Sequence, residues 1–293
     1  MTQTTPTTPR PSDETAFAND WREWRASREQ NLRDPKGFLA ITSLLWLGEE
    51  PISASDAPGA WTSIDDIVRV SLADGEWLEL DGERITGEYE FAPIPERGGV
   101  LVRFDGGWIE VAKRGGFDII RPRRDEASFL DTYTQTPAYE PDAQWRLDAT
   151  FLPFDEPRPV TVDGAVDTIQ HVYDSPGELE FTVDGEAHRL LAFPGRDDGL
   201  LVLFKDATSG VTTYGALRSL AVGAPDADGH TQLDFNRASN LPCAYTDLAT
   251  CPLPPAENRL DFAVEAGERT PLERNHAAPT EIGLELVDAA PAS

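Results

Sequence analysis

Glu178-Leu-Glu-Phe-Thr-Val-Asp-Gly-Glu-Ala-His-Arg-Leu-Leu-Ala-Phe193 reads as a β-hairpin. Leu179, Phe181 and Val183 alternate with polar neighbours, the period of a half-buried strand, and Asp184-Gly185 supplies a tight two-residue turn. The signature recurs on both sides. Upstream, Val68, Val70 and Leu72 alternate, and Trp77 to Leu80 meets Arg84 to Thr86 across Asp81-Gly82. Val100 to Phe104 then leads through Asp105-Gly106-Gly107 into Trp108 to Val111. Downstream, Leu200 to Phe204 and Val211 to Tyr214 flank the turn Ala207-Thr208-Ser209-Gly210. Hairpins at this regular spacing predict sandwiches or barrels, not a doubly wound sheet. The chain shows no internal repeat, no glycine-rich phosphate loop and no nucleophile elbow.

One helix precedes the strands. Ser12 or Asp13 can cap it, and Glu14 suits its positive end. Phe17, Trp21 and Trp24 fall at i, i+4 and i+7, with Arg22, Glu23 and Arg25 expected to point elsewhere; Asp34-Pro35 should end it. Gly37 to Leu47 is apolar on nearly all sides and reads equally as a short helix or a strand. Arg121-Pro-Arg-Arg-Asp125 and Ser128 to Asp142 read as a connection between two β blocks, packed down by Phe129, Tyr133 and Tyr139. The expected fold is mainly β: a leader over residues 1–12, a helix and small sandwich-like unit over 13–120, a larger barrel-like antiparallel unit over 121–270, and a frayed acidic tail over 271–293.

The 293 residues carry 52 Asp plus Glu against 25 Lys plus Arg, a formal net charge of -27, with lysine only at positions 36, 113 and 205. Such a surface repels a phosphate backbone, so nucleic acid is excluded as a partner. The N-terminus lacks the apolar core of a secretion signal, and the longest apolar run is too short to span a bilayer. The expectation is a cytoplasmic protein, not bound to membrane, whose two cysteines are thiols. Oligomeric state is not legible.

One stretch breaks the alternation: residues 233–260, with Asp234, Asn236, Arg237, Asn240, Cys243, Cys251, Glu257, Asn258 and Arg259 among four prolines. Amides and a guanidinium on a stiffened loop can hold a small polar or anionic ligand, and Tyr214 could donate into the same mouth. Asp234 or Cys243 are the candidate catalytic groups of a cofactor-free hydrolase or isomerase. Two other readings stand beside this one: a non-catalytic binding protein, and a structural module whose loop closes the barrel. Asp234 paired with Arg237 or Arg259 would fit the structural reading. Zinc is not expected, because Cys243 and Cys251 have seven residues between them and the four histidines are scattered.

Thr212-Thr-Tyr-Gly215, Asp234-Phe-Asn-Arg237, Pro242-Cys-Ala244, Ala249-Thr-Cys-Pro-Leu-Pro-Pro255 and Glu257-Asn-Arg-Leu260 together resemble a bacterial and archaeal family of unknown function, DUF1684. Trp21-x-x-Trp24-Arg25, Gly37 to Thr42 and Leu45-Trp46-Leu47 fit it too, so the resemblance spans roughly residues 15 to 270. Around Ser239 to Leu241 the chain departs from the family's commoner Tyr-Asn-Pro while keeping Asn240. The resemblance implies a site without implying a chemistry. The N-terminal β unit also resembles the forkhead-associated sandwich, in shape only: residues 46–118 contain no histidine with which to read phosphothreonine.

Overall fold

A helix and two antiparallel β units make up residues 11–166 and 169–277, the part described by the computed structural model. Helix α1 runs Pro11–Leu32; the side chains of its expected caps, Ser12 and Asp13, lie outside the described residues. Phe17, Trp21, Trp24 and Leu32 lie partly or fully buried. Arg25 joins them, contrary to the expectation that it points outward. It bonds Glu268 at 2.9 Å and Glu29 at 2.7 Å, and Arg28 reaches the same Glu268 at 3.1 Å. Glu268 is 1% exposed, so its charge must be met inside the fold. Trp21 Nε1 donates to the Asn236 carbonyl at 3.0 Å. The helix is thus fastened to the C-terminal unit rather than to the sandwich that follows it in sequence.

The N-terminal unit holds β1 (Leu45–Trp46), β2 (Ala60–Ile64), β3 (Ile67–Ser71), β4 (Leu78–Leu80), β5 (Glu83–Ile85), β6 (Glu88–Glu90), β7 (Gly99–Phe104), β8 (Gly107–Arg114) and β9 (Phe117–Arg124). A six-stranded sheet, β1-β9-β8-β7-β4-β5, covers a three-stranded one, β2-β3-β6. Trp61, Val70, Val102, Ile109, Val111 and Ile120 fill the space between them. The apolar run 37–47 resolves into a 3₁₀ turn, Phe38–Ala40, and the short strand β1. Strand β9 passes the expected boundary at 120/121. Arg121 and Arg123 continue its ladder opposite Glu110 and Trp108, so they belong to the sheet and not to a connection.

The C-terminal unit holds β10 (Arg146–Asp163), β11 (Gln170–Val183), β12 (Glu186–Pro194), β13 (Leu200–Phe204), β14 (Arg218–Val222) and β15 (His230–Asp234). They form one curled, barrel-like antiparallel sheet in the order β14-β13-β12-β11-β10-β15. The 178–193 hairpin closes as Val183 opposite Glu186, with Asp184 and Gly185 at φ 51° and 84°. Both turn residues are left-handed, which is the twist that matches paired strands. Phe235 centres the core, its ring 5.4 Å from Phe204 and 5.9 Å from Phe181. Val211 to Tyr214 is not a strand. Buried Asp206 gathers residues 206–213 into a turn, accepting the Thr208 amide at 2.6 Å while pairing with Arg218 at 2.6 Å.

The units meet where Ile41, Leu44, Ala112 and Ile119 pack on Ile169 and Leu248. Gly115, at φ 59°, sits at this junction, and a Cβ there would fall 2.3 Å from Ile169. Residues 271–277 are not frayed: Thr134 donates to Glu273 at 2.6 Å, and Asn275 N–H to the Tyr245 carbonyl at 2.7 Å. Of the leader expected over 1–12, residues 1–10 lie outside the described residues, as does the tail from 278 onward, while Pro11 and Ser12 already belong to α1. Among the described residues, no helix is long and apolar enough to cross a membrane.

Candidate functional site

The residues singled out in 233–260 settle at several places around the C-terminal sheet. Asp234 ends β15 and caps the 3₁₀ turn Phe235–Arg237, accepting the Asn236 amide at 3.2 Å. Asn236, 1% exposed, accepts from Asp142 N–H at 2.8 Å and donates to the Asp142 carbonyl at 2.9 Å. Arg237 turns to α1, pairing with Asp20 and lying 5.6 Å over the Trp24 ring. Asn240 donates its side chain to the Arg269 carbonyl at 2.8 Å, while its backbone amide bonds Glu268 at 2.6 Å.

Asn258 has the clearest task. Strands β12 and β13 pair only at Phe193–Leu201 and Pro194–Leu200. Beyond that the Asn258 amide spans the gap, accepting from Leu191 N–H at 2.7 Å and donating to the Leu191 and Leu203 carbonyls at 2.9 and 2.8 Å. Its neighbour Glu257 is exposed. Tyr214 donates to the Cys243 carbonyl at 2.7 Å, and burial pushes its phenol up to about 12. The structure therefore joins Asp234 to Asn236 and, at 3.5 Å, to Arg237, as the structural reading expects, and joins Tyr214 to Cys243, but does not bring the eight residues to one cavity.

A different constellation forms at the junction of the units. Along β8 and β9 alternate side chains face opposite ways. Ile109, Val111 and Ile120 enter the sandwich core, which places Glu110, Arg114, Arg121 and Arg123 on the other face, against the C-terminal unit. Glu110 accepts from Arg121 at 2.8 and 3.1 Å, from Arg114 at 2.9 Å and from Arg123. Burial alone would raise its pKa, but the fields of Arg121 and Arg123 and the Arg121 hydrogen bond win, and hold it at about 2. Burial lowers the Arg114 and Arg123 pKa values, and repulsion from Arg121 adds to it.

Facing this cluster is a cavity of about 240 Å³, lined among others by Arg97, Arg114, Arg121, His171, Tyr173 and Cys251. His171 and Tyr173 are alternate residues of β11. His171 is 2% exposed; its Nε2 lies 3.0 Å from the Thr250 carbonyl, which can only accept, so Nε2 carries the proton. Its Nδ1 is then a buried acceptor with no partner. Burial pushes the ring's pKa down and keeps it neutral. Arg97 lies 4.3 Å over the Tyr173 ring from a left-handed backbone, φ 64°. A non-glycine residue in that conformation costs about 1 kcal/mol, and such strain gathers at ligand clamps.

Cys251 completes the wall. Its sulfur accepts the Cys243 amide at 3.3 Å. The neighbouring Cys243 side chain pulls the Cys251 pKa down against burial, helped by that amide and by the fields of Arg121 and Arg114. The Cys251 side chain beside it, with burial, pushes Cys243 up. Of the two sulfurs, Cys251 is the acidic one, not the Cys243 singled out from sequence. Among the described residues, no group of three His, Cys, Asp or Glu side chains is placed to hold a metal ion.

Sequence reasoning missed this cavity although two signals were present. Glu110 and Arg114, and Arg121 and Arg123, repeat at the spacing that puts charge on one face of a strand whose other face is apolar. His171 and Tyr173 repeat likewise. Comparison with known proteins adds little chemistry. No curated protein matches the chain. Among solved structures it is similar to an uncharacterised protein of Haloarcula marismortui determined by solution NMR, at 35% identity, covering 50% of this chain and 82% of that one, with a TM-score of 0.42. Residues 131–269, which carry β10 to β15 and the 233–260 loop, match proteins of unknown function, DUF1684, and through them the chain belongs to that family.

Proposed function

We propose that the junction cavity binds a small anion that also carries an O–H or N–H donor, such as hydrogen phosphate or a hydroxycarboxylate. One observation carries this reading: three guanidiniums converge on the single carboxylate of Glu110, and the surplus positive charge is held out of water. Buried charge without a partner is costly, so an anion entering here would be drawn in by charge that the protein leaves unbalanced. Glu96, which caps the Gly115 and Gly116 amides at 2.8 Å each, offsets part of that surplus. Arg97 contributes a further cation. The orphaned Nδ1 of His171 accepts and cannot donate, which selects a ligand with a proton to offer. The guanidiniums come from the N-terminal sheet, and His171, Tyr173 and Cys251 from the DUF1684 region, so the ligand would bridge both units.

Calorimetric titration at neutral pH tests this directly. Inorganic phosphate and lactate should bind more tightly than sulfate and acetate, which match them in charge or size but lack the donor at this pH. Arg97→Ala should weaken phosphate binding about tenfold, or roughly 1.4 kcal/mol. Equal affinity for phosphate and sulfate would remove the role of His171. No heat with any of the four would overturn the reading altogether.

A further inference from the structure

We propose that Cys251 and Cys243 form a redox pair: a small hydroperoxide entering the junction cavity oxidises Cys251, and Cys243 then closes a disulfide with it. This goes beyond the anion site and shares only its opening. Cys251 lines the cavity, whereas Cys243 is absent from the wall and 3% exposed. The two are nevertheless in contact, because the Cys243 amide donates to the Cys251 sulfur at 3.3 Å. One sulfur thus meets the entrant while the other waits behind it.

The surroundings fit that division. Cys243 is held from the far side, its carbonyl accepting from Tyr214 at 2.7 Å and from Arg274. The Cys251 carbonyl accepts from Ala165 N–H at 2.7 Å. Both ends of the loop are therefore anchored, and the sulfurs stay together. Arg114 and Arg121 in the wall favour a thiolate at Cys251 over a neutral thiol. A cavity of about 240 Å³ over a cysteine only 7% exposed admits a small oxidant and excludes a protein disulfide.

The chemistry balances with the peroxide as the named oxidant. The Cys251 thiolate attacks one peroxide oxygen; an S–O bond forms as the O–O bond breaks, and sulfur gives up two electrons. The departing hydroxide takes a proton and leaves as water. Cys243 then attacks the sulfenic sulfur; an S–S bond forms as the S–O bond breaks, and the Cys243 proton leaves with the hydroxyl as a second water.

Intact mass spectrometry of the reduced full chain, treated with equimolar hydrogen peroxide and then alkylated under denaturing conditions, reads the outcome. Wild type should lose the mass of two hydrogens and both alkylation sites. Cys243→Ser should instead accumulate a dimedone adduct on Cys251, while Cys251→Ser should stay unmodified. Circular dichroism of both variants establishes that they are folded. Two thiols that stay fully alkylatable would overturn the pair, as would dimedone capture on Cys243 in Cys251→Ser at the rate seen for Cys251 in Cys243→Ser. Oxidation that proceeds in a protein showing no phosphate binding supports this pair while counting against the anion site alone.

Discussion

The loop 233–260 and the face of β8 and β9 turned to the C-terminal unit are both crowded with polar side chains and both largely buried, but their polar atoms differ in what they have left to offer. In the loop, Asn236 and Asn258 give their amides to backbone groups, and of its asparagines only Asn240 leaves an atom, Oδ1, unmet. At the junction, Glu110 is shared by three arginines and the Nδ1 of His171 faces nothing. Satisfied polar groups specify a fold; unsatisfied ones in a cavity are where a ligand gains most.

The largest effect expected is at Glu110. Glu110→Gln leaves three guanidiniums without their carboxylate and should cost about 3–5 kcal/mol in urea unfolding. The acid limb gives an independent check. Glu110 is held at about 2, below the usual carboxylate range near 4.3. Its contribution is therefore present above that range and lost as pH falls toward 2. Wild type should lose stability over that interval, and Glu110→Gln should flatten the curve there.

Asn258→Ala comes next. It strands one N–H and two carbonyls between β12 and β13, each worth about 1–3 kcal/mol when left unmet, so the melting temperature should fall by many degrees with phosphate affinity unchanged in the folded protein. A fall in affinity at constant stability would return the ligand to the loop and break the comparison. Arg237→Ala should cost about 1 kcal/mol or less, because its partner Asp20 is exposed and Asp234 is met only at 3.5 Å. Calorimetric scanning distinguishes the two losses.

Arg97→Gly is the smallest change and the sharpest. Glycine takes a left-handed φ at no steric cost, so stability should hold or rise by up to about 1 kcal/mol while phosphate binding weakens. A residue kept in strain for its guanidinium would show that opposition; a loss of both would make Arg97 a structural cation.

The hairpins were legible because Asp184-Gly185 and Asp81-Gly82 announce their own backbone geometry, and the α1 stripe because its period is local. Arg121 and Arg123 were not. Their alternation says that they share a face, but not that the C-terminal unit covers it. His171 and Cys251 lie eighty residues apart, and only the curl of the sheet brings them to one wall. The asparagines of the loop misled for a physical reason: the groups that hook a ligand are those that a gap in a ladder requires.

That gap has a consequence for motion. The Leu191 amide is protected by a side chain from the loop rather than by a neighbouring strand, so its hydrogen exchange reports release of residues 251–260 and not unzipping of the sheet. An amide in the middle of β12 that exchanges faster than Leu190 or Ala192 beside it would mean that the loop lifts from a barrel that stays intact, and the loop that lifts is the one that begins with Cys251.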